Sequence, residues 1–115
     1  MKKAYHLIQC STCQRILNEV NWKGQLQEIR TEKISAEQLD QMAKMSGSYE
    51  TLFSRRAMNY KSMGLKDKSL SEKDYRQLIL DEDTFLKRPV FIVYDKIFVG
   101  NSKKTIKALS SALNE

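Results

Sequence analysis

Proline is nearly missing from this chain. One proline, Pro89, and four glycines serve 115 residues. A sequence so poor in both has no Pro/Gly/Ser linker, and neither an internal repeat nor a low-complexity tract is present. Long apolar runs are missing too: none approaches the roughly 20 residues of a membrane span. The opening "MKKAYHLIQC" starts basic, but its apolar part is too short and too polar for a secretory signal. The expectation is a cytoplasmic protein, with no membrane contact, in a compartment that keeps thiols reduced. There are only two cysteines, Cys10 and Cys13, and one histidine, His6. That is too few for a disulfide framework, and a domain of this length needs no staple. A structural zinc site needs four ligands. These three residues would need a carboxylate or a second chain, so no metal is expected.

The net charge of +6 and pI near 9.4 suit a polyanion, an acidic protein surface or a small oxyanion. No block of five like charges occurs, and no basic stripe is interleaved with exposed aromatics, so direct nucleic-acid binding is not expected.

What is present is a regular alternation of patterns. "KAYHLIQ" sets Tyr5 and Leu7 against Ala4, His6 and Ile8, as a strand does. Cys13, Ile16, Leu17 and Val20 then fall on one helix face, with Ser11 or Thr12 available as the cap. Asn21 to Gly24 ends that helix, and "QLQEIRT" reads as a second strand. Ser35 with Gln38, and Ser71 with Asp74, have the spacing of capping boxes. The first opens a helix with Leu39, Met42 and Met45 inward that stops near Gly47; the second precedes Tyr75, Leu78 and Ile79. Between them "ETLFSRRAMNYKSMGL" reads as a further helical piece ending at Gly64. "PVFIVYDKIFVGN" predicts two strands joined at Asp95-Lys96, the run Val90 to Tyr94 being buried on both faces. Ile106, Leu109 and Leu113 stripe a last helix.

The order β-α-β, helices, β-β-α demands one parallel pair with a right-handed crossover and one antiparallel hairpin. An α/β fold with a four-stranded mixed sheet meets both demands. It resembles a thioredoxin-like domain spanning residues 1–115, with a helical insert at residues 33–85 between its halves.

Cys10 falls at a strand end and Cys13 in the first turn of the following helix. A sulfur there faces unpaired N–H groups and the positive end of the helix dipole, and both favour thiolate. The two-residue spacing lets the sulfurs approach bonding distance. C-x-x-C beside a βαβ pattern is a redox signature. The plainer alternative for Cys13 is a small apolar residue on the helix's inner face. Pro89 opens the second half's first strand, where proline is tolerated; the thioredoxin-like resemblance implies that it is cis and lies beside the reactive cysteine.

Several segments carry a closer resemblance. "YHLIQC" is similar to YHNxxC, "LFSRRAMNY" to a segment in which an arginine precedes an aromatic by four, "LKRPVFIV" to (K/R/N)RP(I/V), and "FVGN" to VG(F/Y)N. Together they resemble the ArsC family of arsenate reductases, which also contains the Spx-type transcription regulators. The resemblance implies that Cys10 is the attacking thiolate, that His6 orients it or lowers its pKa, and that Arg56 and Arg88 bind an oxyanion. Arg55 is the rival of Arg56. Pro89 and the turn residues Ser11 and Thr12 complete the substrate side. A planar guanidinium suits such an anion because it donates bidentately. For Arg55 and Arg56 a solvated charged pair is the competing reading.

The chain also departs from the pattern. Asn101 stands where the reductases carry a third arginine, and the nearby Lys103 and Lys104 are point charges, not forks. Gln14 stands where an arginine is usual, and "CSTCQ" is closer to the Spx-type switch. Two functions therefore remain. One is a thiol-dependent reductase of a small oxyanion or disulfide, with no bound cofactor, in which Cys13, glutathione, glutaredoxin or thioredoxin resolves the adduct. The other is a regulator that binds RNA polymerase and senses redox state through Cys10 and Cys13. Either is expected to work as a monomer.

Overall fold

The computed structural model describes residues 1–114. The described chain divides into two compact units, residues 1–33 with 88–114, and residues 34–87.

The first unit holds β1 (Lys2–His6), α1 (Ser11–Glu19) and β2 (Gln25–Glu28), then β3 (Val90–Val93), β4 (Lys96–Val99) and α5 (Lys103–Leu113). Its four strands run in the order β2-β1-β3-β4. β1 is parallel to β2, with His6 opposite Glu28, and antiparallel to β3, with Tyr5 opposite Val90. β3 and β4 form the hairpin. The sheet is thus mixed for the reason the element order gives: a helix connects the parallel pair and a tight turn the antiparallel one.

All four residues of β3 are buried, which explains an apolar run without alternation. The run ends one residue earlier than its composition suggests. Val93 pairs with Lys96, so the turn is Tyr94-Asp95 and not Asp95-Lys96. Tyr94 takes a positive φ of 56° and is 66% exposed.

One face of the sheet carries the core of this unit. Ala4, Phe91 and Val93 from the strands meet Ile16 of α1 and Leu109 of α5, with Leu17, Val20, Trp22, Phe98, Ile106 and Leu113 around them. The stripes on both helices are therefore buried on the same side. Trp22 meets Phe91 edge-on at 5.0 Å, and its indole N–H donates to the Gln25 carbonyl at 3.0 Å.

The second unit contains α2 (Ala36–Ser46), α3 (Met58–Ser62) and α4 (Glu72–Asp81), with 3-10 turns at Glu50–Leu52, Leu65–Asp67 and Asp83–Phe85. Both capping boxes form: Ser35 with Gln38, and Ser71 with Asp74. Gly47 ends α2 at φ 107°, a conformation that costs glycine nothing. The segment after it differs from the expectation of one helical piece. Phe53 leaves the first 3-10 turn extended and bridges to Leu86, with Ser54 N–H donating to Phe85 O and Lys87 N–H to Leu52 O. Burial explains the break. Phe53 is fully buried, stacked on Phe85 at 5.0 Å and tilted against Tyr75 at 4.9 Å. A continuous helix would have to give up that backbone pairing.

Gly24 shows how closely the turn into β2 is packed. A Cβ there would lie 2.7 Å from the Lys2 carbonyl oxygen, 2.7 Å from the Trp22 ring and 2.8 Å from Lys2 Cβ. Two of those atoms belong to a strand that cannot yield. Gly24→Ala is expected to destabilise the protein by about 1–3 kcal/mol through overpacking, read as a lower denaturant midpoint with an unchanged slope.

Candidate functional site

The site begins with the loop that carries β1 into α1. Three polar contacts hold it. Ile8 N–H donates to the Glu28 carboxylate at 2.9 Å. Cys10 N–H donates to Leu7 O at 3.1 Å, and the Gln14 amide donates to the same oxygen at 3.0 Å. Glu28 also accepts from the N–H groups of Arg30 and Thr31. These donors, Ile8 first, hold the Glu28 carboxyl down at about 2 although its partial burial acts the other way. Glu28 therefore stays ionised and ties the loop before Cys10 to the end of β2.

Neither Ser11 nor Thr12 caps α1. Ser11 is already its first helical residue, and Cys10 holds the extended conformation of a cap, with φ −89° and ψ 104°. The Cys10 sulfur itself accepts the Cys13 N–H at 3.4 Å. Burial alone would raise the Cys10 pKa. The thiol and N–H of Cys13, the charge of Arg88 and the N–H of Thr12 outweigh it, and the net shift is downward. Cys13 is the opposite case. It is fully buried, and burial pushes its thiol up to about 12, helped by the neighbouring Cys10 sulfur and opposed by Arg88. Both cysteines are free thiols. The pair is thus asymmetric: a partly exposed thiol with a lowered pKa in front and a protonated, buried thiol behind. The apolar-residue reading of Cys13 is right about its burial, but its thiol also lies against the Cys10 sulfur.

Arg88 precedes β3, and its peptide bond to Pro89 is cis. Its charge reaches both sulfurs. Its Nη1 is buried and has no hydrogen-bond partner among the described residues. A buried, unpaired donor costs on the order of 1–3 kcal/mol, and more on a charged group, so this nitrogen marks a place where an acceptor belongs. Thr12 contributes its backbone N–H to Cys10, while the Ser11 side chain is exposed.

His6 is 6% exposed, and burial lowers its pKa against the opposing charge of Glu28. Its Nδ1 lies 3.2 Å from the Gln14 amide nitrogen. Gln14 and Glu28 were not among the residues expected at the site. The signals for them were a polar histidine on a strand, which needs a partner once buried, and the β1–β2 register, which sets Glu28 opposite His6.

The remaining candidates separate. Arg55 is engaged within the second unit: it donates to Glu50 at 2.8 Å and to the Tyr75 hydroxyl at 3.0 Å, and lies over the Tyr75 ring. Arg56 is exposed and, among the described residues, makes no ion pair or hydrogen bond. Asn101 is exposed between β4 and α5, and among the described residues no hydrogen bond joins it to either cysteine. Among the described residues no three His, Cys, Asp or Glu side chains gather as a metal site, and no helix is long and apolar enough to cross a membrane.

The sequence model of the ArsC family matches residues 5–109, nearly the whole chain. The chain belongs to the ArsC family. Similar solved structures include an arsenate reductase from Vibrio cholerae, 17% identical with a TM-score of 0.77, covering 94% of each chain. A possible arsenate reductase from Streptococcus mutans is 25% identical with a TM-score of 0.73, covering 95% of this chain and 97% of that one. An arsenate reductase related protein from Brucella melitensis is 21% identical with a TM-score of 0.71, covering 93% and 92%. A comparison with curated proteins gave no match. In this ArsC-family chain the thioredoxin-like sheet, the cysteine pair and Arg88 all belong to the first unit.

Two outcomes are expected of the thiols. Iodoacetamide should modify Cys10 with a pH midpoint below 9.0 and leave Cys13 unmodified at neutral pH, as read by peptide mass; Arg88→Met should raise that midpoint. Above pH 9.0 the unfolded chain loses the Cys13 proton while the native chain keeps it up to about 12. Native stability should therefore fall with rising pH across that window, and Cys13→Ala should flatten the fall in denaturant titrations.

Proposed function

We propose that this protein is a thiol-dependent reductase acting on a small oxyanion, with arsenate as the first substrate to test. The observation that carries the proposal is the buried Nη1 of Arg88, without a hydrogen-bond partner among the described residues, on a guanidinium whose charge lowers the pKa of Cys10. A cation with an unmet donor beside a nucleophile favours an anionic substrate that brings oxygen acceptors. Ser11, Thr12 and Pro89 are proposed as lesser contributors to the substrate side, and Arg56 is kept as a proposed oxyanion ligand on the family resemblance alone.

The chemistry needs two thiols per turnover. The Cys10 thiolate attacks As(V) and water leaves, giving a Cys10 S–As(V) bond. A second thiol attacks the Cys10 sulfur; the S–As electron pair passes to arsenic, which leaves as As(III), and the two sulfurs are joined as a disulfide. Arsenic gains two electrons and the thiols lose two. Glutathione or glutaredoxin is proposed as the second thiol, with Cys13 as the internal alternative and thioredoxin as a reductant of the resulting pair. No bound cofactor takes part.

A second reading has its own support. The sulfur that would be oxidised in a Cys10–Cys13 disulfide is the cap of α1. An Spx-like regulator that meets RNA polymerase through exposed residues of α1 and the second unit would report redox state by that change.

Turnover of arsenate with glutathione and glutaredoxin, followed as arsenite formed, tests the first reading. Cys10→Ser is expected to abolish it. Arg88→Ala is expected to weaken oxyanion binding by about 1.5–3 kcal/mol, the worth of hydrogen bonds to a charged group. A reversible Cys10–Cys13 disulfide with no arsenite formed under any of these donors would sink the reductase reading and leave the switch.

A further inference from the structure

Gln14 stands where the ArsC resemblance expects an arginine, and its contacts give it a task of its own. Its amide nitrogen donates to the Leu7 carbonyl oxygen at 3.0 Å. A carbonyl accepts only, so the orientation of the amide is fixed: the NH2 group, and not the oxygen, faces the end of β1. The same nitrogen lies 3.2 Å from His6 Nδ1. Its second proton therefore points at Nδ1, and Nδ1 must be the acceptor. A ring that accepts at Nδ1 carries its proton on Nε2 and is neutral.

We propose that Gln14 is a positioning residue that fixes His6 as the neutral Nε2–H tautomer. Protonating Nδ1 would set two donors against each other and cost Gln14 either the His6 contact or its hold on Leu7. That hold matters because Leu7 O also receives the Cys10 N–H at 3.1 Å. The surroundings bear on the same choice. Glu28, opposite His6 in the parallel register, is the facing carboxylate that favours a charged ring. It is committed to the N–H groups of Ile8, Arg30 and Thr31. From α1 the ring meets the amide of Gln14. Burial of His6 acts in the same direction as the amide, against the charge.

The inference concerns the thiol site on which the reductase reading rests, but its readout needs no turnover, so the two can fail separately. His6 is the only histidine, so its ring nitrogens give an unambiguous signal in the reduced, full-length protein labelled with 15N. The expected result is the Nε2–H tautomer at pH 7, with a titration midpoint below the ordinary 6.5. Gln14→Glu puts an acceptor where the donor was and should move the proton to Nδ1, raising the midpoint by about one unit or more. Gln14→Met keeps the bulk without the donor and should leave a mixture of tautomers. The wild-type measurement stands even where a variant fails to fold. An Nδ1–H or imidazolium ring in the wild type at pH 7 would overturn the proposal. So would an unchanged tautomer in folded Gln14→Glu and Gln14→Met, since a merely structural role would alter stability and leave the ring as it was.

Discussion

The Cys10 sulfur accepts the N–H of Cys13, and much of the site follows from that one contact. Helices normally begin on an oxygen from Ser, Thr, Asp or Asn. A sulfur in that place becomes a good acceptor only as it gains charge, so the fold and the chemistry ask for the same species. The cap position also dictates where Cys13 must be, since the third residue of a helix places its N–H at the cap. The C-x-x-C spacing is then the spacing of a capping interaction as well as of a redox pair. The loop before the cap is held at three points, by Glu28, by the Leu7 carbonyl and by Gln14. The Cys10 backbone is thus held by the hydrogen bonds of its loop.

The asymmetry of the two thiols gives the pair a direction. Arg88 acts on both sulfurs, yet only Cys10 ends with a lowered pKa, because burial dominates at Cys13. Part of what keeps Cys13 protonated is the Cys10 sulfur itself. Once Cys10 is bonded to a substrate, its charge is gone and that part is lifted, while the Arg88 charge stays. In the proposed reductase the first step would therefore weaken a barrier to the second. This order depends on no movement of the backbone.

Legibility in the sequence followed the range of the interactions. The strands, the capping boxes at Ser35 and Ser71 and the buried run from Val90 are local patterns, and each is present. The segment from Glu50 to Gly64 was misjudged because its apolar residues fit a helix, whereas Phe53 is fixed by pairing with Leu86, thirty-three residues on. The hairpin turn was displaced by one residue because composition favours Asp95-Lys96, while the register is set by Val93 and Lys96 across the strands. At the site, Cys10, Cys13 and Arg88 were legible because each has a chemistry that stands out in a single residue. Gln14 and Glu28 were not. An amide and a carboxylate are common surface groups, and their roles exist only once the fold sets them against His6 and Ile8. The rivalry of Arg55 and Arg56 was equally invisible, since it turns on Glu50 and Tyr75 holding the first of them.

The reductase and regulator readings share one set of atoms, and the cap explains why. As a thiolate, Cys10 would be a charged acceptor at the positive end of α1, a placement worth roughly 0.3–1 kcal/mol in dipole terms, and it is also the cap of that helix. In any disulfide, mixed or internal, the sulfur is neutral and both contributions shrink. In either reading a disulfide at Cys10 is expected to loosen the first turn of α1, whether an external thiol or Cys13 is the partner. In an enzyme that loosening is transient and is reversed when the thiolate returns. A regulator needs the same loosening to persist, which requires that the internal disulfide outlive the encounter with its reductant. The difference between the two functions thus lies less in the residues of the site than in how fast the Cys10–Cys13 bond is reduced. The stronger the hold of Arg88 and the helix start on the free thiolate, the more readily that bond gives it up.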